Sequence, residues 1–270
     1  MHDVTPVRAR EGAPRLVRAE PLMGTVIAID VRDPGFPEQA LDAVFAWFHT
    51  VDATFSTFRS DSEICRLSRG ELGIGECSAD VQEVLGLCDS IHRRSGGCFS
   101  VWDRSGCDPS ALVKGWSVER ASHMLRGAGA TNYFINGGGD IVASGEPAPG
   151  RTWRVGVQHP EERDRLAAVL AITDLAVATS GTYERGTHIT DPRTGEPASG
   201  VLSMTVIGPS LAHADAYSTA AFVMGMDGAS WVAGIDGYEA IAITNERRTV
   251  WTAGVDRLLI RDGMTAVAQH

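Results

Sequence analysis

Strand-like runs in this chain follow one another with little more than a turn between them, and that adjacency constrains the fold more than any other feature. The run at 167–172 leads straight into 175–178, and 238–244 into 248–252 across Asn245-Glu246. Strands joined this closely pair antiparallel, because parallel neighbours need a crossover of a dozen residues or more. Further runs at 26–29, 133–135, 153–157 and 202–207 read the same way. Between them the apolar period becomes helical. Leu41, Val44, Phe45, Phe48 and Val51 share one face, as do Val81, Val84, Leu85, Cys88 and Ile91 behind a cap at Ser78 or Asp80. Helices are also expected over 114–126 and 213–226. The class is α+β: a single compact domain at 21–270, with an antiparallel sheet and packed helices, behind a polar segment at 1–20.

Composition narrows function by exclusion. Twenty-four basic against 34 acidic residues leave a net charge of −10, without the basic stripe of a nucleic-acid binder. No window approaches the roughly 18 apolar residues of a membrane span, and no leader or lipid-anchor cysteine is evident, so the expectation is a cytoplasmic chain without a membrane anchor. Cys65, Cys77, Cys88, Cys98 and Cys107 contain no C-x-x-C pair. They read as free thiols packed as small apolar side chains, not as a zinc site.

Glycine is the composition's excess, at 30 of 270 residues, and it gathers with polar residues in four places. Asn136-Gly137-Gly138-Gly139-Asp140 reads either as a ligand-free turn or as main chain that a phosphate can approach. The stretch from Thr179-Ser180-Gly181 through His188 to Asp191-Pro192-Arg193-Thr194-Gly195 is dense in hydroxyl, imidazole and guanidinium groups. His188 is its acid–base candidate, since imidazole titrates near neutrality. Asp215 and Thr219, four apart on a helix, either cap and back-bond or offer oxygens to a hard cation such as Mg²⁺. Lys114-Gly115, at the expected start of a helix, suits either a surface helix or a pyrophosphate. Neither the P-loop nor the Rossmann glycine fingerprint is present.

Taken in order, these segments resemble the ApbE family of FAD:protein FMN transferases. The resemblance rests on Met23-Gly24-Thr25, the stretch from Thr57 to Glu63, the stretch from Phe99 to Trp102, Lys114-Gly115, the stretch from Asn136 to Asp140, the segment from Thr179 to Gly195, and Ala214-Asp215 through Thr219. It implies a T-fold-like architecture with a cleft for FAD, and Mg²⁺-dependent transfer of FMN to a threonine or serine of an acceptor protein with release of AMP. By position, Asp215, Thr219 and the Val113 carbonyl would hold the metal. His188 would be catalytic, and Lys114 would neutralise the pyrophosphate. Met23, Phe58, Ser62 and Asp140 would contact flavin or adenine, while Gly138, Gly139, Ser180 and Gly181 would line the cleft. Two other outcomes use the same residues: hydrolysis of FAD to FMN and AMP, and FAD binding without turnover.

Overall fold

The computed structural model describes residues 15–103, 106–162, 164–181 and 189–261. A hairpin of β1 (Leu16–Leu22) and β2 (Thr25–Val31) opens the chain, followed by α1 (Glu38–Phe55), α2 (Glu63–Ser68) and α3 (Ala79–Arg94). A short pair, β3 (Trp102–Asp103) and β4 (Gly106–Cys107), precedes α4 (Ser110–Gly127), β5 (Tyr133–Gly137) and β6 (Asp140–Ser144). Then come β7 (Trp153–Gln158), β8 (Leu166–Ile172), β9 (Leu175–Gly181) and β10 (Val201–Gly208). The chain continues through α5 (Leu211–Met224), α6 (Met226–Ala233), β11 (Glu239–Thr244) and β12 (Thr249–Trp251).

Eight strands form one sheet in the order β1-β2-β5-β6-β9-β10-β11-β12, every neighbouring pair antiparallel. Successive side chains of a strand face opposite ways, so alternate residues feed two cores. Ile27, Ile29, Val142 and Val206 join Phe45, Phe48, Leu112, Leu125 and Phe222 under the helices. Ile141, Ala143, Val177, Ile207 and Ile241 meet Trp153, Val155, Val157 and Leu170 of the β7–β8 hairpin on the other face. The result is three layers: helices, sheet, hairpin.

The α+β class with an antiparallel sheet is as expected, and so is the hairpin at Asn245-Glu246, where Arg247 takes the left-handed φ of 62°. Other expectations need correcting. The adjacent runs β8 and β9 do not pair with each other: β8 pairs with β7, while β9 crosses to the main sheet between β6 and β10. β9 is largely buried on both faces and needs a sheet neighbour on each edge, which a lone hairpin does not provide. Within the polar N-terminal segment, Leu16–Leu22 forms an edge strand whose charged residues, Arg18 and Glu20, are half-buried. The helix expected at 114–126 begins at Ser110. That expected at 213–226 ends at Met224, where Gly225 at φ 66°, ψ −130° adopts a backbone shape reserved for glycine before α6 starts.

All five cysteines are free, four of them buried. Burial pushes the Cys88 and Cys107 thiols up to about 12, so they pack as apolar groups. Among the described residues no helix is long and apolar enough to cross a membrane.

Candidate functional site

Two-residue turns bring the glycine motifs to one end of the sheet. Met23-Gly24 closes β1 onto β2 with φ 51° and 72°, and Gly138-Gly139 closes β5 onto β6 with φ 64° and 100°. Positive φ at both central residues gives the turn a twist that matches paired strands, which is why glycine recurs here. Ile27 pairs with Gly137, so the two turns lie side by side. A Cβ on Gly138 would stand 2.2 Å from Thr25 Oγ1, so the third residue of one motif excludes any side chain from the other. Gly139 N–H donates to Asn136 Oδ1 at 2.8 Å, which rigidifies the second turn. Met23 holds a left-handed backbone that costs a non-glycine residue roughly 1 kcal/mol. β9 runs past the second turn and ends at Ser180-Gly181 at this same edge.

Two helices cross above these turns. Gly115 makes the crossing possible: a Cβ there would lie 2.6 Å from the Leu211 carbonyl oxygen and 2.7 Å from Asp215 Cβ. Its N–H donates to Asp215 Oδ2 at 2.9 Å, so α4 holds a carboxylate of α5 that is only 5% exposed. Thr219, one turn on, meets Ser180 Oγ at 3.0 Å, and Ser180 meets Ser218 Oγ at 2.8 Å. Ser117 of α4 donates its proton to the Lys114 carbonyl at 2.9 Å, and its Oγ lies 3.9 Å from Met23 Sδ, so the helix touches the first turn there.

Lys114 is the only lysine in the chain. Its Nζ stands 2.8 Å from Asp140 Oδ2, and the Asp140 side chain is 2% exposed. The contact is charge against charge, because Oδ2 has no aligned hydrogen-bond donor. A carboxylate buried this deeply requires such a partner. One correction follows. Lys114 lies a full turn inside α4, not at its N-terminus, so the helix's orphan amides are not beside it. Asp140 and Lys114, each expected to face a ligand, also hold each other.

The remaining expected residues divide. Phe58 is 96% exposed on the loop after α1, an aromatic face with no cover among the described residues. Ser62 is buried and occupied: its hydroxyl donates to the Ser56 carbonyl at 2.7 Å and accepts from Cys65 N–H at 3.1 Å as the α2 cap. It shapes the loop carrying Phe58, and its proton is already placed. That loop leaves α1 beside Phe55, whose ring meets Trp116 at 5.6 Å. Asp191-Pro192-Arg193-Thr194-Gly195 forms the expected turn, with Gly195 at φ 78° and Asp191 paired to Arg193 at 2.7 Å. The Arg193 guanidinium holds the Asp191 carboxyl below its ordinary range. His188 lies outside the described residues.

The site contains one residue the sequence did not single out. Ser218 is 0% exposed and donates to the Asp215 carbonyl at 2.8 Å, joining Asp215 to Ser180 and Thr219. Its signal was the consecutive hydroxyls Ser218-Thr219 after an aspartate in a helix, a pattern ordinary back-bonding also explains. Among the described residues no three His, Cys, Asp or Glu side chains gather as metal ligands. What converges here is oxygen of mixed origin: one carboxylate, hydroxyls and main-chain carbonyls.

The architecture is a three-layer α+β fold in which glycine turns lie under a tight helix crossing, with buried oxygen donors gathered beside them. Residues 23–102 and 103–242 match the ApbE family, and the chain belongs to that family. It is 32% identical over 151 residues to the FAD:protein FMN transferase of Klebsiella pneumoniae (strain 342), covering 52% of this chain and 43% of that protein. The matched stretch is thus less than half of that relative's length. The FAD:protein FMN transferase of Treponema pallidum (strain Nichols) is 31% identical over 211 residues, covering 67% of this chain and 58% of that one. In fold, the chain resembles the flavin transferase ApbE from Vibrio cholerae with a TM-score of 0.80 at 23% identity, over 92% of this chain and all of that one. The apbe protein of Thermotoga maritima gives a TM-score of 0.82 at 21% identity, over 90% of this chain and 99% of that one.

Proposed function

We propose that this chain transfers FMN from FAD to a threonine or serine hydroxyl of an acceptor protein, with Mg²⁺ as cofactor and AMP as leaving group, and that it does so in the cytoplasm, where its free thiols stay reduced. The observation that carries the reading is the buried Asp215 carboxylate, held by Gly115 N–H across the helix crossing above the two glycine turns. Similarity to FAD:protein FMN transferases supports the reaction, and the donor set supports the metal. Magnesium takes hard oxygen and only one or two protein carboxylates, completing its shell with water and phosphate. Asp215, Thr219 and the Val113 carbonyl fit that requirement and would hold it; when bound, Mg²⁺ supplies positive charge against the pyrophosphate.

The chain's own residues do the rest. Gly138 and Gly139 let the dinucleotide approach the main chain, Phe58 offers an uncovered ring to a flavin or adenine face, and Met23 caps the neighbouring turn. Asp140 keeps the Lys114 ammonium at the cleft edge. His188 takes the proton from the acceptor hydroxyl as its oxygen bonds to the FMN phosphorus, and the phosphorus–oxygen bond to AMP breaks. Such transfers depend on positioning and electrostatics more than on covalent chemistry by the protein.

The test is incubation of the full chain with FAD, Mg²⁺ and a threonine-containing acceptor from the same genome, followed by intact mass. A gain of one FMN on the acceptor is expected, and His188→Ala should abolish it while FAD still binds. Free FMN and AMP without modified acceptor would replace transfer by hydrolysis. FAD bound and unchanged would leave only a carrier.

A further inference from the structure

The hydroxyls beside Asp215 have a fixed polarity that follows from counting protons. Ser218 Oγ lies 2.8 Å from the Asp215 carbonyl oxygen, which can only accept, so the single Ser218 proton is spent there. Ser218 Oγ also lies 2.8 Å from Ser180 Oγ, and with its own proton committed it accepts from Ser180. Ser180 Oγ lies 3.0 Å from Thr219 Oγ1; its proton now spent, it accepts from Thr219. The reverse order would set the Ser218 lone pairs against those of a carbonyl at contact distance inside a buried site, where an unmade hydrogen bond is costly. Ser218 is 0% and Ser180 8% exposed, so water does not readily substitute for either link.

We infer that Ser180 and Ser218 are positioning residues for the metal site: the relay Thr219→Ser180→Ser218→Asp215 carbonyl holds the Thr219 proton on the Ser180 side and leaves both Thr219 lone pairs for a divalent cation. The inference rests on the proposed metal site and deepens it. It gives the serine of Thr179-Ser180-Gly181 a task other than touching FAD. It also gives one to Ser218, which is sealed from the cleft. Hydrogen-bonded partners behind a ligand commonly change metal affinity by about 10- to 100-fold.

The experiment is calorimetric titration of Mg²⁺ into the full chain and its variants, without FAD, alongside thermal midpoints in EDTA. Ser180→Ala removes the acceptor for the Thr219 proton and should weaken Mg²⁺ about tenfold. Ser218→Ala frees the Ser180 proton to turn onto Thr219, occupying a lone pair, and should weaken it comparably although Ser218 reaches no ligand. The double variant should cost no more than the worse single one, since either change breaks the same relay. Ser180→Thr, which keeps a hydroxyl, should restore affinity. Wild-type affinity in Ser180→Ala and Ser218→Ala, with EDTA midpoints showing both folded, would overturn the relay while leaving the metal site standing. No Mg²⁺ binding by the wild type, or a loss of affinity that only mirrors a lowered EDTA midpoint, would overturn it as well, the former together with the metal site.

Discussion

Asp33, at the end of β2, accepts four hydrogen bonds: from Thr131 N–H at 2.9 Å, Thr131 Oγ1 at 2.6 Å, Asn132 N–H at 2.8 Å and Asn132 Nδ2 at 2.9 Å. They clamp the entry of β5 to the exit of β2 and so set the register that places the two glycine turns side by side. Burial alone would raise this carboxyl, but the donors of Thr131 and Asn132 outweigh it and hold its pKa below the ordinary value. A depressed folded pKa stabilises the protein above the unfolded value of about 3.9, and the gain is lost as pH falls through the folded value. Asp33→Asn should therefore cost about 1–2 kcal/mol in urea unfolding at pH 7, given that bonds to a charged acceptor contribute more than neutral ones. As pH falls from 7 through the folded value, the gap between variant and wild type should narrow. A gap that stays constant over that range would assign the loss to shape and not to charge.

At the scale of elements, the crossing of α4 and α5 is the joint on which the site depends, and Gly115→Ala tests it. Alanine is favoured over glycine in a helix by about 1 kcal/mol. Here its methyl would overlap the Leu211 carbonyl and Asp215, and forcing extra volume into a packed contact costs typically 1–3 kcal/mol. The clash should win: a lower thermal midpoint, together with weaker Mg²⁺ binding as Gly115 N–H moves off Asp215. A raised midpoint would mean that the helices separate freely. This joint was half legible in sequence. The pairing of lysine and glycine is visible, but the run of Ala111, Leu112 and Val113 has no helical alternation, so periodicity misses the first turn of α4 and places Lys114 at the helix start. α1 and α3 were read well because each buries one stripe. β9 and the break at Gly225 were read poorly: the destination of a strand buried on both faces, and the end of a helix buried nearly all round, are decided by tertiary neighbours and not by period. The polarity of the hydroxyl relay was beyond sequence altogether, since Ser180 and Ser218 meet only through packing.

For the whole molecule, the governing quantity is a net charge of −10, against which the anionic dinucleotide proposed as substrate would have to approach. Many of the arginines are spent in surface pairs such as Arg18–Asp42, Arg69–Glu71 and Arg165–Glu162, and the single lysine is paired with the buried Asp140. Local attraction at the site and repulsion by the molecule as a whole therefore act over different ranges. Mobile ions separate them, because the Debye length falls from about 30 Å at 0.01 M to about 8 Å at 0.15 M. Contacts within the cleft, at hydrogen-bond distance, survive that change; repulsion from distant carboxylates does not. If the proposed reaction holds, raising NaCl across this range at saturating Mg²⁺ should lower the apparent KM for FAD severalfold and leave kcat nearly unchanged, since screening acts on approach and not on the bound complex. An uncharged osmolyte at matched osmolality should do nothing. A KM that instead climbs steadily with salt would show that the cleft's own positive field, carried by Lys114 and a bound cation, reaches past the acidic surface and steers FAD in.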